Sequence, residues 1–397
     1  MLCPNPFSLF CALLLCLPLA IIFTIITPTT TTTNGGAAYV PSSTTRKNKA
    51  AVNPVVLTTL GNQTNGINIT STTTLPASTP LPPPLTAEDD DEPLLRPAAR
   101  VNPDPKSPRK LAFMFLTTTP LPFAPLWELY FNQTPKNRYN IYVHADPRLK
   151  YDPPFLGVFK NRVIPGSKPT RRYSPTLISA ARRLLSHALL HDSSNYMFTL
   201  LSPSCIPLHS FNYTYDTFIR SNKSFIEILK NEKGARDRWA ARGQHAMLPE
   251  VPFEDFRIGS QFFVLTRKHA RMVASDTRLW SKFKLPCLKK SSCYPEEHYF
   301  PTLLSMEDPR GCVPATLTHV DWRGSHDGHP RTYSASEVGP ELILALRRDK
   351  PRYGNDGIHD SDSSLIKRSD PFLFARKFSP DSIEPLMRIA SEVMFKD

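Results

Sequence analysis

Beyond about residue 108, apolar positions along the chain follow two alternating rhythms. Lys110 to Leu116 (KLAFMFL) and Asn140 to Val143 (NIYV) are short, nearly continuous apolar runs. Tyr196 to Leu201 (YMFTLL) and Gln261 to Thr266 (QFFVLT) repeat the pattern, and each run predicts a buried strand. Between them the spacing becomes helical. In Thr176 to His191, the residues Leu177, Ala180, Ala181, Leu184, Leu185, Ala188 and Leu189 share one face, with Arg182, Arg183 and His187 off that stripe. Ser336 to Leu346 and Asp381 to Met394 read as later helices. Strands alternating with helices predict an α/β domain over residues 108–397, with a mostly parallel central sheet and flanking helices. Ligands of such sheets bind beyond the strand C-termini. That rule gathers Thr117 to Thr119, His144 to Asp146 and Ser202 to Cys205 near one rim.

Residues 1–107 have another character. Phe7 to Ile26 is an uncharged run of 20 residues, enough to cross a hydrocarbon core of about 30 Å as a helix. It predicts a transmembrane signal-anchor behind a short cytoplasmic tail, residues 1–6. A cleaved signal peptide is the alternative, but the run exceeds the usual apolar core of roughly 7–15 residues and lacks a small-x-small cleavage site. Charge does not orient the anchor, since Arg46, Lys47 and Lys49 follow it and no Lys or Arg precedes it. Residues 27–107 hold the Thr29 to Thr33 run, Pro82-Pro83-Pro84 and the acidic run Glu88 to Glu92. With so few large apolar groups to offset the entropy of ordering, they read as a disordered Thr/Pro-rich stem. Asn62, Asn68, Asn132, Asn212 and Asn222 each begin a glycosylation sequon. Anchor, stem and five sequons together point to the lumen of the secretory pathway.

Charge narrows the partners. The net charge is +13, yet residues 1–107 contain six Lys/Arg and six Asp/Glu, so the excess lies in 108–397. A basic domain attracts nucleic acid, anionic membranes or phosphorylated small molecules. The basic residues are dispersed among apolar segments, and no zinc-finger, helix-turn-helix or RNP-like pattern occurs, which argues against nucleic acid. Of seven cysteines, Cys3, Cys11 and Cys16 lie in or beside the N-terminal run. Cys205, Cys287, Cys293 and Cys312 allow two disulfides by three pairings, and the sequence does not choose among them. No CxxC pair or His/Cys cluster suggests zinc.

Three segments carry candidate chemistry. His144-Ala145-Asp146 ends a predicted strand, where a carboxylate serves equally to bind a ribose or base, to help hold a metal, or to cap a turn. In Cys293-Tyr294-Pro295-Glu296-Glu297-His298, two glutamates open a short apolar helix. Successive helical residues point about 100° apart, so the pair does not act as the opposed carboxylates of a glycosidase. One of them can still face the rim as a general base, while the other reading is favourable electrostatics at a helix start. Near the C-terminus, Asp321 to Arg331 is a polar, Gly-containing loop. Phe372 to Phe378 (FLFARKF) sets Arg376 and Lys377 in an aromatic run, which is costly without a partner such as a diphosphate or an internal carboxylate. Trp322 reads as a core residue before it reads as a sugar-stacking one.

The ordered motifs KLAFMFL, IYVHAD, SPTLISAARRLL, FTLLSPSCIPL, GSQFFVLTRKHA, CYPEEHYFPTLL, THVDW, GHPRTY and FLFARKF resemble the plant branch of the core-2/I-branching β-1,6-N-acetylglucosaminyltransferase family, glycosyltransferase family 14, over about residues 108–397. The resemblance implies a GT-A-like fold, a Golgi type II membrane topology and inverting transfer from a UDP-sugar without a divalent metal or other cofactor. Carried over residue by residue, it implies Glu297 rather than Glu296 as the base, Arg331 and Lys377 as cations on the UDP leaving group, and Asp146 as a nucleotide ligand. Two departures stand. Cys205 occupies a position that is acidic in the animal enzymes, so acceptor contacts do not transfer. The nucleotide-side Glu has no clear counterpart around Lys168 to Tyr173. The expected donor sugar is N-acetylglucosamine, xylose or glucuronate, and the acceptor is a glycoprotein or cell-wall glycan. The rival reading is a non-catalytic lumenal glycan-binding or scaffold protein on the same fold.

Overall fold

The computed structural model describes residues 91–325, 329–354 and 368–397. In chain order its elements are α1 (Glu92–Arg100), β1 (Lys110–Thr117), α2 (Ala124–Phe131), β2 (Tyr139–Ala145), α3 (Thr176–His191), β3 (Asn195–Leu201), β4 (Ile206–Pro207), α4 (Phe211–Arg220), β5 (Ser224–Phe225) and α5 (Ala235–Trp239). There follow β6 (Val264–Thr266), α6 (Arg267–Ser275), α7 (Arg278–Phe283), α8 (Tyr299–Glu307), β7 (Cys312–Val313), β8 (Thr318–Val320), α9 (Pro340–Arg348), β9 (Phe374–Arg376) and α10 (Ile383–Ile389). The four predicted strands and three predicted helices all appear. Gln261 to Thr266 is shortened to β6, its Phe263 carbonyl still accepting from Leu200 N–H at 3.0 Å.

The larger sheet runs β2-β1-β3-β6-β5-β7. β1 is parallel to β2 and β3, β5 is parallel to β7, and β6 is antiparallel to both of its neighbours. The sheet is therefore mixed, with one reversed strand between two parallel groups. A second sheet, β4-β9-β8, joins β9 antiparallel to β4 and parallel to β8.

β1 shows why its sequence is apolar throughout. Successive side chains of a strand alternate in direction, and here both faces are covered, as is usual for parallel strands. Leu111, Phe113 and Phe115 enter one core with α2, the small sheet, α9 and α10. Ala112, Met114 and Leu116 enter another beneath α3, α6 and α8. In the first core, Phe113 meets Trp127, Tyr130 and Phe131 edge-on at centroid distances of 5.0–6.2 Å, a favoured aromatic geometry.

Helix α3 is buried nearly all round, including the arginines off its apolar stripe. Arg183 pairs with Asp91 at 2.7 Å. Arg182 donates to Asp276 O at 2.6 Å and lies 4.8 Å over Trp280. The cover on that side includes α1, which packs on α3 and α6 with Leu95 and Ala98 inward. This corrects one boundary: the end of the segment expected to be disordered stem, from Asp91 onward, is folded. Its two short apolar side chains, plus a carboxylate that also meets Lys168 at 3.2 Å, stabilise the helix through the surface it joins. The expected anchor Phe7 to Ile26, stem residues 27–90, Asn62 and Asn68 lie outside the described residues. Among the described residues no helix is long and apolar enough to cross a membrane. Asn132, Asn212 and Asn222 are exposed.

Among the described residues the cysteines form one disulfide rather than two. Cys287 is joined to Cys293, while Cys205 is buried in the first core and Cys312 in the second. The sheet thus stands between the two remaining thiols.

Candidate active site

The segment that bears the two glutamates is built first by sequence. Pro295 starts a single 3₁₀ turn, Pro295–Glu297, and His298 leads directly into α8. The turn's two carboxyls are unequally exposed, although both border the same cavity. Glu296 is only 7% exposed and its Oε2 has no hydrogen-bond partner among the described residues. Burial pushes its carboxyl up to about 8, against a weaker pull from Arg172 and Arg242. Glu297 is about one-third exposed, and its Oε2 accepts from Arg238 Nη1 at 3.3 Å. Burial raises its pKa too, but Arg238, then Arg376 and Arg172, pull it back.

Glu297 lies at a cavity of about 470 Å³, which is also lined by Arg172, Glu227, Arg238, Arg376 and Lys377. The backbone brings two of its carboxylates close together. Gly259 N–H donates to Glu297 O at 2.8 Å, and a Cβ on Gly259 would sit 2.0 Å from Glu227 O. Only glycine permits that approach. Burial pushes Glu227 up to about 7, with Arg352 opposing. With two of its carboxyls shifted toward their neutral forms, the cavity favours an anion.

The small sheet supplies the cationic wall. Parallel pairing sets Val320 opposite Arg376, and Tyr333 N–H donates to Lys377 O at 2.8 Å. These contacts draw the loop after β8 alongside the end of β9. Arg376 lies 4.4 Å over the Phe262 ring, and burial lowers its pKa. Trp322, expected in the core, is instead 55% exposed and lines the cavity. It follows the last residue of β8 by two positions.

The four residues singled out by sequence take three positions. Glu297 and Lys377 share the cavity. Arg331 lines an adjoining hollow that also includes Lys377, and it is paired with Glu337 and, at 3.6 Å, with Asp321. Asp146 lines neither. It is fully buried, and its carboxylate accepts from Arg148 at 2.8 and 3.1 Å and from Thr170 N–H at 2.8 Å. Burial alone would raise its pKa, yet those hydrogen bonds hold it well below the carboxylate range. Asp146 is thereby bonded to the loop that carries Arg172 to the cavity.

Glu227, Arg238 and Arg172 escaped the sequence reading. Glu227 had a signal: a single carboxylate inside Phe225-Ile226-Glu227-Ile228-Leu229 is as conspicuous as the cations of FLFARKF. Arg238 and Arg172 sit in mixed polar segments that mark nothing. Elsewhere, an apolar hollow of about 560 Å³ bounded by Leu121, Phe155, Leu156 and several prolines offers one carboxylate, Glu128, and no cation. Size alone does not identify the site; convergent charge does. Among the described residues no group of three or more His, Cys, Asp or Glu side chains is arranged to hold a metal ion.

Two comparisons bear on this geometry. The family model described as Core-2/I-Branching enzyme matches residues 111–347. A protein named Glycosyltransferase BC10, from Oryza sativa subsp. japonica, is 32% identical over 308 residues, covering 70% of this chain and 75% of that relative.

Proposed function

The chain belongs to the core-2/I-branching enzyme family and is a glycosyltransferase, and from that premise we propose an inverting, metal-independent transfer from a UDP-sugar to a glycan acceptor on a GT-A-like fold. The observation that carries this reading is that Glu297 and Lys377 line one cavity.

In the proposed step, the Glu297 carboxylate takes the proton of an acceptor hydroxyl as its oxygen attacks the anomeric carbon. The bond from that carbon to the β-phosphate oxygen breaks on the opposite face, and its electron pair leaves with UDP. A base whose proton affinity is raised toward neutral is well matched to this work. Lys377 and Arg376, with Arg331 in the adjoining hollow, neutralise the departing diphosphate; fixed cations in a partly dry site do so with little reorganisation. Asp146 serves from behind by holding the loop of Arg172. The exposed indole of Trp322 offers a face on which a sugar ring stacks.

The proposal extends to compartment. A disulfide favours an oxidising lumen, and the apolar run at Phe7 to Ile26 with exposed sequon asparagines supports a Golgi type II membrane protein. The test is a panel of UDP-sugars and glycan acceptors supplied to the purified protein in the presence of EDTA. Acceptor-dependent UDP release and a product of inverted anomeric configuration are expected. Transfer abolished by EDTA and restored by a divalent cation overturns metal independence, and a retained configuration overturns the single displacement.

A further inference from the structure

Glu297 and Arg238 both stand on short pieces of chain. The base is on one 3₁₀ turn, and its arginine is on the five-residue α5. Helical pieces of this length have little stability of their own, so their 3.3 Å contact needs outside support. The loop closed by Cys287–Cys293 reaches both. At one end, Leu288 and Lys289 donate their backbone N–H groups to Ala241 O at 2.9 and 3.0 Å, in the turn that follows α5. At the other, buried Cys293 precedes Tyr294, whose ring lies 5.1 Å beneath the Arg238 guanidinium. Tyr294 O then accepts from Glu297 N–H at 3.0 Å.

We propose that the Cys287–Cys293 disulfide is a positioning element of the active site, holding Arg238 against Glu297; this rests on reading Glu297 as the base. Closing so short a loop removes less chain entropy than closing a long one, so the bond acts mainly on local geometry. Its loss has a chemical signature. Glu297 is surrounded by Arg238, Arg172 and Arg376, by the carboxyls of Glu227 and Glu296, and by Tyr294. Arg238 is the strongest of the groups that favour its ionised form. With Arg238 adrift, Glu297 keeps its proton to higher pH, and the acid limb of kcat moves upward.

The test compares the intact protein, the same protein reduced with dithiothreitol, and the Cys287→Ser/Cys293→Ser double variant. Among the described residues this is the disulfide that the reductant meets. Reduction is expected to lower kcat roughly ten- to hundredfold, the scale of a small misplacement of catalytic groups, and to displace the acid limb to higher pH. Faster amide hydrogen exchange is expected within residues 235–243 and 287–298. An unchanged rate, pH profile and exchange pattern overturns the proposal, as does faster exchange spread over both cores. Should the double variant not fold, reduction of the folded wild type decides. Should the wild type transfer no sugar, the functional reading fails separately, and exchange alone judges the clamp.

Discussion

Glu296 and Glu297 are adjacent in sequence and unequally exposed, so glutamine at each position yields contrasting outcomes. Glu297→Gln keeps the side-chain shape and an oxygen facing Arg238, and removes the group proposed to take the proton. Loss of a general base lowers kcat roughly 10²–10⁴-fold, or about 3–6 kcal/mol at about 1.4 kcal/mol per decade. The Arg238–Glu297 pair is 29% and 36% exposed, so solvent screening limits its contribution to stability to about 1 kcal/mol or less. The variant should stay folded and still bind UDP. Glu296→Gln replaces one neutral group with another, because burial already holds that carboxyl protonated up to about pH 8. Its kcat at neutral pH should stay within the wild-type order of magnitude. Its effect on stability has a definite sign. Between 4.5 and about 8 the folded protein holds a proton at Glu296 that the unfolded chain has released. Stability therefore falls as pH rises through that window, at up to about 1.4 kcal/mol per pH unit. Glu296→Gln should remove that contribution. The assays are UDP release at saturating substrates, UDP titration calorimetry, and denaturant midpoints from pH 5 to 8. A Glu297→Gln protein retaining wild-type kcat, or a Glu296→Gln protein as inactive as Glu297→Gln, refutes the reasoning.

The two cations expected on the diphosphate should not be equivalent. Lys377→Met, in the cavity, should lower kcat roughly 10²–10³-fold; Arg331→Met should cost less, since Arg331 is 41% exposed and lines only the adjoining hollow, and steady-state kinetics of both variants decide. Trp322→Ala should raise the acceptor KM roughly two- to tenfold, the scale of one aromatic contact, and leave the thermal midpoint nearly unchanged because the indole is largely exposed. Phe113→Ala should destabilise the fold by about 3–5 kcal/mol in urea titrations, since this fully buried ring touches three aromatic neighbours of α2.

The chain by itself determined the four strands and three helices read from its apolar runs and helical spacing; Thr176–His191 has the predicted bounds because its burial follows the 3.6-residue period of its own segment. It also drew attention to Arg376 and Lys377, as charge inside an aromatic run, while Glu297 was singled out from Glu296 by the resemblance alone. It did not determine that α1 is part of the fold, since nine residues with two buried apolar side chains are stable only on a surface supplied by α3 and α6. Nor did it separate Glu296 from Glu297 or Arg331 from Lys377 by environment. Those distinctions arise where segments 59 residues apart meet, as Arg238 does Glu297, and where β8 pairs with β9 to turn Trp322 outward. Desolvation and charge pairing depend on what lies within a few ångströms, and only the folded chain sets those neighbours.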